Sequence, residues 1–225
     1  MIKTLLSALL LIAFAASAGT ALAQEAAAGP RAGIYWIYVH MAPALTTEYS
    51  AEVTDRKVMN RYSESAIFPD ALLDSVRVTA ETLCSAKLGM PVECIYKLNK
   101  KGAPITTVGA NNELEGMPVN TLKGAMAGAT YDRYVRIDVI MNTGGRAIRL
   151  GPDKFSRIKP IVTATIRVAD AQGNEVFKNK VTLKDLSALR SVERTRGNVI
   201  RTHSETLGPE DIFLIYEQAL QELLQ

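Results

Sequence analysis

Cysteine and histidine are both scarce here, with two residues of each in 225. A metal site needs several convergent ligands. His40 and His203 stand alone, and no His-x-His, His-Glu-x-x-His or multi-cysteine pattern occurs. No metal centre is expected, and both histidines read as structural or surface residues. Other chemical signatures are missing too. There is no Gly-x-Ser-x-Gly elbow and no Ser-x-x-Lys in a convincing frame. The segment Asn142-Thr143-Gly144-Gly145-Arg146 has no following Lys-Ser/Thr helix start, so it reads as a hairpin connection rather than a phosphate loop. Glu113 and Glu115 fall in Asn-Asn-Glu-Leu-Glu-Gly, which reads as a solvated loop rather than an acid/base pair for sugar cleavage. No catalytic residue and no cofactor are expected.

Long apolar runs are absent except at the start. Lys3 is followed by the apolar stretch Leu5–Ala16, and Ala21-Leu22-Ala23 is a small-x-small cleavage site. Met1–Ala23 is therefore expected to be a secretory signal, followed by a flexible start at 24–32 and a single domain over 33–225. No cysteine directly follows the cleavage site, where Gln24 stands, which argues against a lipid anchor, and no transmembrane segment is expected after cleavage. The chain should reach the periplasm, or alternatively the outside of the cell. In an oxidising compartment Cys84 and Cys94 are expected to form a disulfide, worth about 3 kcal/mol for a loop of this size. The net charge of +3 falls to +2 when Lys3 leaves. That is too weak to imply nucleic acid.

What is present is patterned. In Arg157–Asp170, Val162, Ala164, Ile166 and Val168 alternate with Thr163, Thr165 and Arg167. Phe177, Val181 and Leu183 alternate with Lys178 and Lys180. Two half-buried strands around Gly173-Asn174 follow, since successive strand side chains face opposite ways. Gly33–Met41 and Tyr131–Met141 are further strands, and Val92–Leu98 another. Pro69–Leu88 carries Leu72, Val76, Ala80 and Leu83 at helical spacing and ends at Gly89 and Pro91. Gly208-Pro209-Glu210-Asp211 starts a final helix striped with Ile212, Ile215, Tyr216, Ala219, Leu220 and Leu223. The expected fold is α/β (α+β): a two-layer sandwich of about five mixed strands with two main helices on one face. Strand–helix–strand at its start implies a parallel pair. Ala44–Phe68 and Leu186–Leu207 are polar and read as surface loops, and Gly109–Gly128 as a loop with one short helical turn.

The basic residues are the most suggestive feature. Arg133, Arg136, Arg146, Arg149, Lys154, Arg157 and Lys159 cluster in sequence. Arg190, Arg194, Arg196 and Arg201 put four arginines within twelve residues, with Glu193 the one acid among them. Forked guanidinium groups recognise carboxylates and phosphates. These four are the candidate surface for an anionic partner, next to a helix start that can add backbone N–H groups.

The element order, the Asp170–Asn174 hairpin and the Gly208-Pro209 helix resemble small bacterial envelope domains. The chain is similar to the amino-terminal domain of TolB and to outer-membrane activators of penicillin-binding proteins, from which it departs in having no lipidation cysteine. The resemblance implies a non-catalytic accessory role, binding an envelope protein or another anionic envelope component. An envelope hydrolase with an unrecognised site and a subunit that assembles through sheet edges are the alternatives.

Overall fold

The computed structural model of the chain describes residues 29–46, 49–54, 57–62, 70–105, 121–128, 130–151 and 153–225. The expected signal segment Met1–Ala23 and the pair Glu113 and Glu115 lie outside those residues. In chain order the elements are β1 (Ala32–Met41), β2 (Tyr49–Thr54), β3 (Lys57–Tyr62), α1 (Asp70–Leu88), β4 (Val92–Cys94), α2 (Leu122–Gly128), β5 (Arg133–Leu150), β6 (Asp153–Asp170), β7 (Glu175–Leu183), β8 (Leu189–Arg196), β9 (Val199–Ser204) and α3 (Pro209–Leu224).

The nine strands of the described residues join one sheet, in the order β3-β2-β9-β8-β6-β5-β1-β4, with β7 also paired to β6. The sheet is mixed. β1 runs parallel to both β4 and β5, as the strand–helix–strand order requires, and the other pairs are antiparallel. β5 and β6 are the frame. Each has 18 residues, and they pair without a register break from Arg133↔Asp170 to Leu150↔Asp153. Near one end β6 holds β7, and near the other it holds β8.

The expected mixed α/β class is present, but not as five strands in a flat two-layer sandwich. The sheet curls as half of a barrel. Two polar stretches expected as loops are hairpins: β2–β3 lies within Ala44–Phe68, and β8–β9 within Leu186–Leu207. The two are joined by β2–β9 pairing. Asn142-Thr143-Gly144-Gly145 does not end the third strand either, because β5 runs through it. Gly145 explains why. Its φ is 134°, and a Cβ there would lie 1.8 Å from the Arg157 carbonyl oxygen. The glycine lets the neighbouring strand approach so that the ladder continues. The second predicted strand is shorter than expected, ending at Cys94.

The helices behave as their periodicity dictates. On α1, Leu73, Val76, Ala80 and Cys84 are buried, with Leu72 and Leu83 half-buried. Gly89, at φ 65°, stops the helix and donates its N–H to the Ser85 carbonyl at 3.0 Å. On α3, Ile212, Tyr216, Ala219, Leu220 and Leu223 are buried. They share one core with Val135, Ile137, Val139 and Met141 of β5 and Val162, Ala164, Ile166 and Val168 of β6. Burying a side chain of this size contributes about 1.5–3 kcal/mol. The Tyr216 hydroxyl donates to the Val76 carbonyl at 3.3 Å, tying α3 to α1.

The expected Cys84–Cys94 bridge is not formed in this structure. Both thiols are free and buried. Burial pushes the Cys84 thiol up to about 12, and Cys94 is raised as well, by burial first and then by the nearby Glu81 carboxylate. The Cys94 N–H donates to Glu81 Oε1 of α1 at 2.7 Å, so a hydrogen bond fastens β4 to the helix where a bridge was expected. Among the described residues no helix is long and apolar enough to cross a membrane.

Candidate anion-binding face

Strand pairing decides which side chains meet, because directly opposed residues project from the same face of a sheet. Val135, Ile137, Val139 and Met141 oppose Val168, Ile166, Ala164 and Val162 on the face covered by α1 and α3. The alternate residues form the outer face. There Arg136 opposes Arg167, Asp138 opposes Thr165, Lys159 opposes Gly144, and Arg146 opposes Arg157. Arg157 in turn opposes Arg190, so three arginines form one row across β5, β6 and β8. The next row is Ile148, Phe155, Val192 and His203. The one after it contains Leu150, Asp153, Arg194 and Arg201. Arg196 opposes Val199 beyond it.

All four arginines chosen from the sequence therefore emerge on one face, carried by a hairpin rather than a loop. Arg194, Arg196 and Arg201 line a groove of about 710 Å³ together with Val192, Val199, Thr202 and His203. Arg190 sits one row outside it, and its backbone N–H donates to Glu205 Oε2 at 2.8 Å. All four are exposed, and none lies within ion-pair distance of a carboxylate among the described residues. Of the earlier basic cluster, Arg136, Arg146, Arg157 and Lys159 join this face. Lys154 belongs to the opposite one, where it pairs with Glu193 at 3.4 Å. The N-terminus of α3 does not add to the groove as expected. The Asp211 carboxylate folds back on it, accepting the Gly208 N–H at 2.9 Å.

Sequence reasoning missed a second concavity on the same outer face. It measures about 390 Å³ and is lined by Trp36, Tyr38, Arg136, Asp138, Ile140, Thr165 and Arg167. Arg136 grips Asp138 through a fork, Nε to Oδ2 and Nη2 to Oδ1, both at 2.8 Å. That hydrogen bonding raises the guanidinium pKa. The guanidinium carbon lies 6.0 Å from the Trp36 ring, and Tyr38 stacks on His40 at 6.1 Å. The signal was the alternation Trp36, Tyr38, His40 in β1. It was hidden because the intervening residues are equally apolar, so neither face of the strand stood out as the outer one.

Among the described residues no three His, Cys, Asp or Glu side chains converge as a metal site would require. Ser191 and Ser204 hydrogen-bond to each other through their hydroxyls at 2.7 Å.

No protein-family model and no curated protein sequence matches this chain. Among solved structures it is similar to a protein described as a neuraminyllactose-binding hemagglutinin homolog from Helicobacter pylori, at 8% identity and a TM-score of 0.37, over 88% of this chain and 82% of that one.

Proposed function

We propose that this protein is an exported, non-catalytic accessory protein of the bacterial cell envelope. It recognises an anionic envelope component through the outer face of its sheet. The observation that carries the reading is the row-by-row alignment of Arg146, Arg157, Arg190, Arg194 and Arg201 on one exposed face, with a groove at its end. Like charges directly opposed across strands destabilise a sheet. The sequence nevertheless places three arginines opposite one another, which stability alone does not explain. An anion seated among them removes the repulsion and gains forked hydrogen bonds. The envelope location rests on the signal-like segment at the start of the chain.

The test is capture from envelope extract by wild type and by a variant with Arg190, Arg194, Arg196 and Arg201 all changed to Ser. Exposed charges act over about 8–10 Å at physiological salt. Wild type should recover a partner at low salt, lose it at high salt, and lose it at both in the variant. Equal recovery by a folded variant removes the proposal. Turnover of an envelope substrate that survives the same substitutions would favour the hydrolase reading instead.

A further inference from the structure

Large apolar side chains are exposed where the basic rows end. Ile148 and Leu150 are each 65% exposed and Phe155 41%. Ile148 directly opposes Phe155, and Leu150 is the last residue of β5 before the turn at Gly151. The three lie at the tip of the longest hairpin, on the same face as the arginines. Solvent exposure of apolar side chains in one patch marks an interaction surface.

Resting on the reading of this face as anion-binding, we propose that its occupant is the surface of an anionic lipid bilayer. Ile148, Leu150 and Phe155 enter the headgroup–acyl boundary, and the flanking arginines hold lipid phosphates. The pattern favours lipid over a protein partner. Protein interfaces concentrate apolar groups in a core depleted of charge. Here a largely apolar row lies between the Arg146, Arg157 and Arg190 row and one in which Arg194 and Arg201 outnumber the single acid Asp153. At a bilayer this interleaving is favourable, because the apolar side chains go down while long basic side chains bend back to the phosphate level. The charge has the right sign, since each basic residue near an anionic membrane surface strengthens attachment about fivefold. The patch is also at the end of a ribbon, so it can reach a flat surface without moving the helix-covered core.

The experiment is co-sedimentation of the folded protein with vesicles of phosphatidylcholine alone or of phosphatidylcholine mixed with phosphatidylglycerol. Wild type should sediment with the mixed vesicles and not with the neutral ones. Replacing Ile148, Leu150 and Phe155 together by Ser should weaken this at least tenfold, and so should the four Arg→Ser changes. In addition, Phe155→Trp should shift its fluorescence to shorter wavelength on the mixed vesicles. Wild-type affinity in the triple Ser variant overturns the proposal, because the apolar tip then takes no part. Failure to bind vesicles, together with arginine-dependent capture of an envelope protein, also overturns it while leaving the broader anion-binding reading intact. Loss of neither activity in the Arg→Ser variant sinks both.

Discussion

The β5–β6 ribbon consists of two halves made by the same hydrogen-bond ladder. From Arg133 to Met141, with its partner strand from Val162 to Asp170, every second side chain is buried under α1 and α3. From Asn142 to Leu150 no residue of β5 is buried. Backbone pairing alone thus builds both halves, and helix cover separates them. The first half stores the stability, because it removes apolar surface from water. The second is held out from the core and is free to carry charge, repelling arginines and exposed apolar groups that a core would not tolerate. Substitutions should have opposite signatures in the two regions.

The largest contrast is expected from one change made twice. Leu220→Asp buries an unpaired carboxylate beneath the covered half and costs several kcal/mol, comparable to the whole stability of a typical domain. Phe155→Asp places the same group on the exposed half and should shift stability by no more than about 0.5 kcal/mol. Thermal unfolding followed by circular dichroism reads both. A cooperative, unshifted transition for Leu220→Asp would break the comparison.

Gly145→Val tests where the halves divide. The new Cβ collides with the Arg157 carbonyl, and backbone strain of this kind costs about 1–3 kcal/mol. Amide exchange should speed up from Asn142 to Leu150 and stay slow at Ile137 and Ile166. Equal acceleration in both halves would show that they unfold as one unit.

A smaller effect belongs to the β6–β7 turn. Asp170 accepts hydrogen bonds from the Gln172 and Asn174 N–H groups, each at 2.9 Å, and from the Asn174 side chain at 3.1 Å. The Asn174 contacts hold its carboxyl below the ordinary value of 3.8, the side-chain bond first. A depressed folded pKa stabilises above the unfolded value, and that contribution is lost as pH falls through the folded one. Asp170→Ala should therefore lower the melting temperature at pH 7. The gap to wild type should narrow as pH falls below the ordinary carboxylate range and the folded-state carboxyl is protonated. A gap independent of pH would assign the loss to packing.

Much of the covered half was legible in the sequence. The alternation around Ile166, the stripe through Tyr216 and Leu220, the Gly173 turn and the Gly208-Pro209 start all have the period or dihedral freedom that their elements need. The bare half was not legible as strand, because apolar alternation is the signal for a strand and these strands bury almost nothing. Ser191-Val192-Glu193-Arg194-Thr195 reads as a polar loop until its partners are known. The four arginines were recognised as a cluster, but their alignment depends on register, which is set by residues far away in the chain. The outward face of Trp36 was hidden differently, because Tyr35, Ile37 and Val39 between Trp36, Tyr38 and His40 are just as apolar. The thiols diverge differently: proximity in sequence and the expected oxidising compartment call for a bridge, whereas in the structure Cys84 and Cys94 are free, buried thiols. Native protein should resist alkylation and take two labels in denaturant without reductant. No labels in denaturant would establish the bridge.

The central claim is that position on the outer face, rather than total charge, makes the arginines a binding surface. Two variants of equal charge decide it. One changes Arg190, Arg194, Arg196 and Arg201 to Ser. The other changes the exposed Lys97, Lys100, Lys101 and Lys123 to Ser. Both are applied to a phosphate-bearing matrix, and the salt needed for elution is measured. The arginine variant should elute at clearly lower salt than wild type, and the lysine variant close to wild type. Equal shifts in the two would show that only net charge matters and would contradict the account.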